Sequence, residues 1–233
     1  MNADSARPSA TLVGYTSPVM ASRVLAGLLA VGASLNIVGA WSTQSQVALL
    51  QGVQRGEMAS EAIVVATDGR QRLIELLQLA AYLPSVLLFL VWIDRVYSNL
   101  RAFSPRPLSF GQRWAVGAWF VPLVNVVRPF QIVREAWWIS ASPAAAALAL
   151  PGFRPVAPTW LYAWWAMFLG VGLTSRLAAM NAQRATSVTD LITASQMWLV
   201  HEVVTGVAAL LAIRVVTRIS TDQERAVLAL MRR

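Results

Sequence analysis

The chain has 233 residues, 57% of them hydrophobic and only 13% charged, with a mean hydropathy of +0.55 and a net charge of +8. A soluble domain typically carries about 25% charged residues, so this composition leaves too little polar surface for a water-soluble globule and points to an integral membrane protein. Cysteine is absent and His201 is the single histidine, which excludes disulfides, iron–sulfur clusters, thiol nucleophiles and multi-His haem or metal sites within one chain; no cofactor is expected.

All nineteen basic residues are arginine. With the abundance of alanine, this is a compositional mark of a high-GC bacterial genome and carries no mechanism. The arginines border apolar runs, so the expected partners are lipid phosphates at the cytoplasmic face of the cell membrane rather than nucleic acid.

Residues 1–18 are small and polar, with Pro8 and Pro18, and read as a flexible tail. The apolar run Val24–Trp41 follows Arg23. Val38-Gly39-Ala40 has the look of a signal-peptidase site, but eighteen apolar residues exceed a usual signal core, so an uncleaved span with a cytoplasmic N-terminus is expected. Residues 43–72 are mixed: Val47, Leu50 and Val53 hint at a short helix and Asp68-Gly69 signals a turn. Three arginines balance Glu57, Glu61 and Asp68 there, as suits an outer loop.

Leu73–Ile93 is the second span, with Pro84 expected to kink it and Glu75 in its first turn. Its helical pattern continues outward, because Ile93, Val96, Tyr97 and Leu100 share one face while Asp94, Arg95, Asn99 and Arg101 lie elsewhere. The Pro-rich stretch 103–107 then breaks it. Trp114–Val127 would make only about 21 Å of helix against a hydrocarbon core of about 30 Å. Pro122 interrupts it and Arg128-Pro129 closes it. Beyond the break, Phe130, Val133 and Trp137 share one face with Gln131, Arg134 and Glu135 off it, the pattern of an amphipathic helix at the interface.

Residues 140–159 read as an Ala/Pro-rich linker. Trp160–Leu177 is the next span, opening with Trp160, Tyr162, Trp164 and Trp165 as at a headgroup boundary. A polar loop with Arg184 and Asp190 leads to the last span, Met197–Val216, from which Arg214 can snorkel outward. The remainder is basic and helical in pattern.

The distribution of arginine selects the layout. Four spans with residues 94–159 cytoplasmic place 14 arginines inside and 5 outside, whereas a fifth crossing at 114–127 leaves 11 against 8. The expected fold is therefore an all-α integral membrane protein: four transmembrane helices, a short re-entrant or interfacial helical segment within 114–139, and an amphipathic helix. The membrane domain spans 19–219, followed by a basic cytoplasmic tail, 220–233, so that both termini are cytoplasmic.

The central stretch resembles a bacterial membrane-protein family catalogued as domain of unknown function 4328. The resemblance is carried by Phe89-Leu90-Val91-Trp92 with Arg95, Tyr97 and Asn99-Leu100-Arg101. It continues through Trp114, Gly117, Trp119-Phe120 and Pro122 to Asn125, Arg128-Pro129-Phe130-Gln131 and Arg134-Glu135 with Trp137. Trp164-Trp165, Arg214, Arg218 and Gln223-Glu224-Arg225 also fit, so it covers roughly 73–225. Asp94, Ser98 and Gly111-Gln112-Arg113 depart from it. The resemblance implies a fold and a location; the family has no assigned chemistry and supplies no catalytic residues.

Two constellations carry candidate chemistry. Arg95, Arg101, Arg113, Arg128 and Arg134, with Asn99 and Asn125 as neutral donors, can form an anion or lipid-headgroup pocket; the plainer reading is ordinary positive-inside charge, with Asp94-Arg95 and Arg134-Glu135 partly self-paired. His201-Glu202, early in the last span, is either a proton-linked or ligand-binding pair or an interfacial pair reaching outer water. The Trp119-Phe120, Trp137-Trp138 and Trp164-Trp165 doublets fit packing and interface anchoring, and Asn36 fits an interhelical hydrogen bond. No phosphate loop, nucleophile triad or paired-carboxylate site is visible. The expectation is a non-enzymatic module contacting lipid headgroups, a second copy or a partner protein. The alternative is a small transporter or channel-like subunit with its path at the broken segment 114–129.

Overall fold

The computed structural model describes residues 14–103, 107–149, 153 and 155–231, and among these it is helical with no strand. Among the described residues seven α-helices follow one another: α1 (Val19–Gln54), α2 (Glu61–Phe103), α3 (Gln112–Gly117), α4 (Arg128–Ala141), α5 (Pro143–Leu148), α6 (Thr159–Arg184) and α7 (Val188–Met231). Three of them, α1, α2 and α7, are long and apolar enough to cross a membrane. At 43 and 44 residues, α2 and α7 are each about 65 Å long, twice the hydrocarbon thickness.

The helices outrun the apolar windows that announce them. Residues 43–72, expected as an outer loop, are instead the end of α1 and the start of α2, joined by 55–60. Asp68-Gly69 lies inside α2, and Glu75 is fourteen residues from its start rather than in its first turn. The reason is visible in the polar spacing. Asp68, Gln71, Glu75, Gln78 and Ser85 recur at helical intervals on α2 and all line one cavity, so a polar stripe runs along this helix. Pro84 leaves α2 unbroken; beside it, the Ser85 hydroxyl donates to the Ala81 carbonyl at 2.7 Å.

The chain divides into two compact units. The first comprises residues up to Ala26, Leu87–Leu161 and Arg214 onward. Its core holds Trp92, Ile93, Val96, Tyr97 and Leu100 of α2, Ile132, Val133 and Ala136 of α4, and Val215, Val216 and Ile219 of α7, all at 0% exposure. The buried face of α4 is Pro129, Ile132, Val133, Ala136 and Ile139. The helix is amphipathic as expected, but its inward face is rotated from the expected one, with Phe130 and Trp137 half-buried at its margin. A polar knot ties the unit together. Gln223 donates to Val96 O at 2.9 Å and accepts from Asn99 at 2.9 Å, and Asn99 also exchanges hydrogen bonds with the backbone of Thr16. Residues 14–18 are thus tethered rather than loose, and α7 passes through position 220 without a boundary. The rest of the expected tail, 1–13, and the last two arginines lie outside the described residues, as does part of the 103–107 break.

The second unit is Gly27–Val86 with Tyr162–Ile213. Small residues bring its helices close: a Cβ on Gly39 of α1 would lie 2.8 Å from the Glu202 carboxyl of α7. Many of its apolar side chains point outward, including Ile37 at 72% and Leu210 at 59% exposure, as in helices solvated by lipid.

Candidate functional site

The segment between α3 and α4 is broken at every level. α3 ends after six residues, turns follow, and Val124–Val126 form a single 3-10 turn. Leu123 adopts a positive φ of 64°, which for a branched side chain costs about 1–3 kcal/mol. The turns nevertheless satisfy much of their own backbone, through Phe120 N to Gly117 O, Val124 N to Pro122 O and Asn125 N to Val121 O. The outside of this bend is apolar: Phe120, Val121, Leu123, Val126 and Val127 are 40–86% exposed. Directly after it comes Arg128. Its guanidinium sits over the Trp114 ring, 4.4 Å from the centroid, and 5.5 Å from that of Phe110. Such stacking orders an arginine without neutralising it, and contributes about 0.5–2 kcal/mol.

The seven candidate anion-binding residues do not converge on one pocket. Arg134 leans over Phe130 at 5.8 Å and lines a cavity of about 70 Å³ with Ser109, Gln131, Glu135 and Trp138. Arg95 donates weakly to Ser17 O at 3.4 Å, Arg101 and Arg113 are exposed, and Asn125 is half-buried in the turn. Asn99 is 1% exposed and committed to the Gln223 knot, so it is a structural residue. Nor do the neighbouring acids pair with the arginines beside them. Glu135 accepts from the Tyr97 hydroxyl at 2.6 Å and from Ser109 N at 2.9 Å, and Asp94 accepts from Gln112 at 2.7 Å. Burial and then Glu135 push the Tyr97 phenol above its usual range.

His201 and Glu202 occupy the second unit. The His201 Nδ1 lies 3.1 Å from the Thr174 hydroxyl, which also donates to Gly170 O at 2.8 Å. Glu202 accepts from Gln78 at 2.8 Å. The two side chains are half-buried and turn toward different partners, so they do not form a pair with each other. Both line a cavity of about 1050 Å³ among α1, α2, α6 and α7. That cavity is the feature missed in the sequence, although the polar stripe Asp68, Gln71, Glu75, Gln78 announces it. It is not lined by 114–129, where the alternative reading put a transport path. Among the described residues no three of His, Asp or Glu gather closely enough to hold a metal ion.

The fold defines an all-helical protein with helices able to cross a membrane and an aromatic-backed arginine beside a broken, apolar bend. The chain belongs to the family described as Domain of unknown function (DUF4328), whose model matches residues 55–221. That match begins before the stretch 73–225 on which the resemblance was read and ends just short of Gln223. No curated protein and no solved structure matches the chain.

Proposed function

We propose that this is a non-enzymatic, four-span protein of the bacterial cell membrane, spanning at about 24–41, 73–93, 160–177 and 197–216, that contacts anionic lipid headgroups on the cytoplasmic side. The single observation behind this reading is the geometry at the bend. Five exposed apolar residues precede an arginine held between two aromatic rings. A turn that meets much of its own backbone hydrogen bonding can lie at the headgroup boundary with its apolar side chains in the acyl region, while a guanidinium fixed at its base meets lipid phosphate bidentately. Residues 114–139 then form a re-entrant or interfacial segment, and both termini are cytoplasmic. The length of α6, 26 residues, suffices for the fourth crossing.

The test is lipid retention by the purified protein in native mass spectrometry, with phosphatidylglycerol and phosphatidylcholine offered together. The wild-type chain retains the anionic lipid preferentially, and Arg128→Ala with Arg134→Ala loses that preference while remaining folded. Equal retention by the variant would remove the basis of the proposal. Accessibility labelling is expected to report Ser142 inside and Ser187 outside; an external Ser142 rejects the layout.

A further inference from the structure

We propose that the cavity of the second unit binds a monovalent organic cation with an apolar body, using Glu202 as its counter-charge and Trp198 as an aromatic wall. The cavity, at about 1050 Å³, is at the upper end of the range for small-molecule sites. It is built in the way ligand sites are built between packed helices, from inward-facing positions of four segments. On α7 the lining residues Ser195, Trp198, Glu202 and Thr205 follow alternating steps of three and four, as an inward helix face requires.

Charge sets the class of ligand. Three acids line the cavity, Glu202, Glu75 and Asp68, against one arginine, Arg72. Among the described residues the ion pairs are Arg55–Glu57, Arg218–Asp222 and Arg225–Asp222, so none of the three lining acids is paired. Glu202 lies within an apolar span, where a carboxylate needs a partner of opposite sign. What it has is a neutral one, the Gln78 amide at 2.8 Å. Gly39 makes this placement possible, because any side chain there would occupy the space of the carboxyl group.

Two further observations point to an occupant. The Thr205 hydroxyl, one turn beyond Glu202 and lining the same cavity, is enclosed and has no hydrogen-bond partner among the described residues. Trp198 presents its ring one turn before Glu202, held edge-on by His201 at 5.4 Å. A carboxylate, an aromatic ring and an unused hydroxyl beside Leu28, Leu29, Ile74 and Leu79 together recognise a hydrophobic ammonium or phosphonium, and among the described residues no three acidic or histidine groups gather closely enough for a metal ion. This inference is independent of the headgroup reading, since no residue of the bend lines the cavity.

Equilibrium dialysis of labelled tetraphenylphosphonium against the protein in nanodiscs, with empty nanodiscs as blank, tests it. Saturable binding near one per chain is expected, with tetraphenylborate, of the same shape and opposite charge, failing to compete. Glu202→Gln weakens binding about tenfold or more, Trp198→Leu weakens it about threefold, and Arg225→Ala, outside both sites, leaves it unchanged. Wild-type affinity in Glu202→Gln, or equal competition by the borate, overturns the proposal. If Glu202→Gln does not yield monodisperse protein, the cation–anion comparison on the wild-type chain decides alone.

Discussion

The two units bury opposite things. In the first, Trp92, Tyr97, Ile132 and Leu161 are wholly enclosed, and the polar groups that join them, Asn99 and Gln223, are matched donor to acceptor. In the second, Ile37, Trp41, Tyr82 and Leu210 face outward at 59–72% exposure, and carboxyl, amide and hydroxyl groups turn inward to the cavity. The difference follows from the solvent. Water drives apolar side chains into a core, whereas lipid is as apolar as leucine, so helices within it gain more from close packing and from sheltering polar groups. The first unit, its exposed bend apart, is organised around an apolar core, and the second as a bundle with an apolar outside and a polar-lined cavity.

If that contrast is right, the largest loss comes from unpicking the polar knot of the first unit. Asn99→Ala leaves the Gln223 amide oxygen and the Thr16 backbone without their partners, and should lower stability by about 3 kcal/mol, measured by reversible unfolding in mild detergent. A loss below about 1 kcal/mol would mean that water already reaches the knot. Tyr97→Phe comes next, at about 1–2 kcal/mol, since it strips a donor from the half-buried Glu135 while the ring itself stays fully buried. Its signature is in pH. The folded phenol titrates above its ordinary value of 10.0, by burial first and by Glu135 second, so its stabilisation is complete below that value and drains away as pH rises beyond it. The phenylalanine variant lacks that part of the alkaline loss, and parallel wild-type and variant profiles above pH 10 would contradict the assignment.

In the second unit a comparable insult should cost less. The Cβ of Gly39→Ala would meet the Glu202 carboxyl at 2.8 Å and the Gln78 amide at 2.9 Å. Both are ends of flexible side chains beside open volume, so they can move aside, and a loss of about 1 kcal/mol is expected. A loss matching that of Asn99→Ala would show that the cavity is packed as tightly as the core, and the contrast would fail.

Periodicity made much of this legible. The long apolar runs announce the spans, and the shortness of Trp114–Val127 with Pro122 announces the break that the turns display. What stayed hidden has physical reasons. Helix ends at Gln54 and Glu61 lie in sequence too polar to look membrane-like, and both residues are themselves exposed, so no apolar window reaches them. The Trp114–Arg128 stack joins residues on either side of a break, whose geometry no spacing rule supplies. The Asn99–Gln223 bond spans 124 positions, and one neutral amide among many gives no sign of its partner. His201 and Glu202 were noticed together because they adjoin in the chain, yet adjacent helical positions point apart, and the structure turns one toward Thr174 and the other toward Gln78.

The smallest effect should come from the start of α7, where the structure closes a reciprocal cap. The Asp190 carboxylate accepts from Ser187 Oγ at 2.8 Å and from the backbone N–H groups of Thr186 and Ser187, while Ser187 Oγ accepts from Asp190 N at 3.1 Å. This is a capping box with aspartate in the returning position. The Ser187 hydroxyl first, and the two N–H groups after it, hold the acid below its ordinary value of 3.8. Its contribution is therefore present above that value and fades as pH falls through the lowered one. Asp190→Asn keeps an acceptor but removes the negative charge favoured at a helix N-terminus. Because the side chain is exposed, solvent screens most of the effect. A slight fall in Tm at pH 7 that shrinks steadily as the pH is taken below 3.8 is the expected outcome, and a deficit of constant size would assign the cap to shape rather than charge.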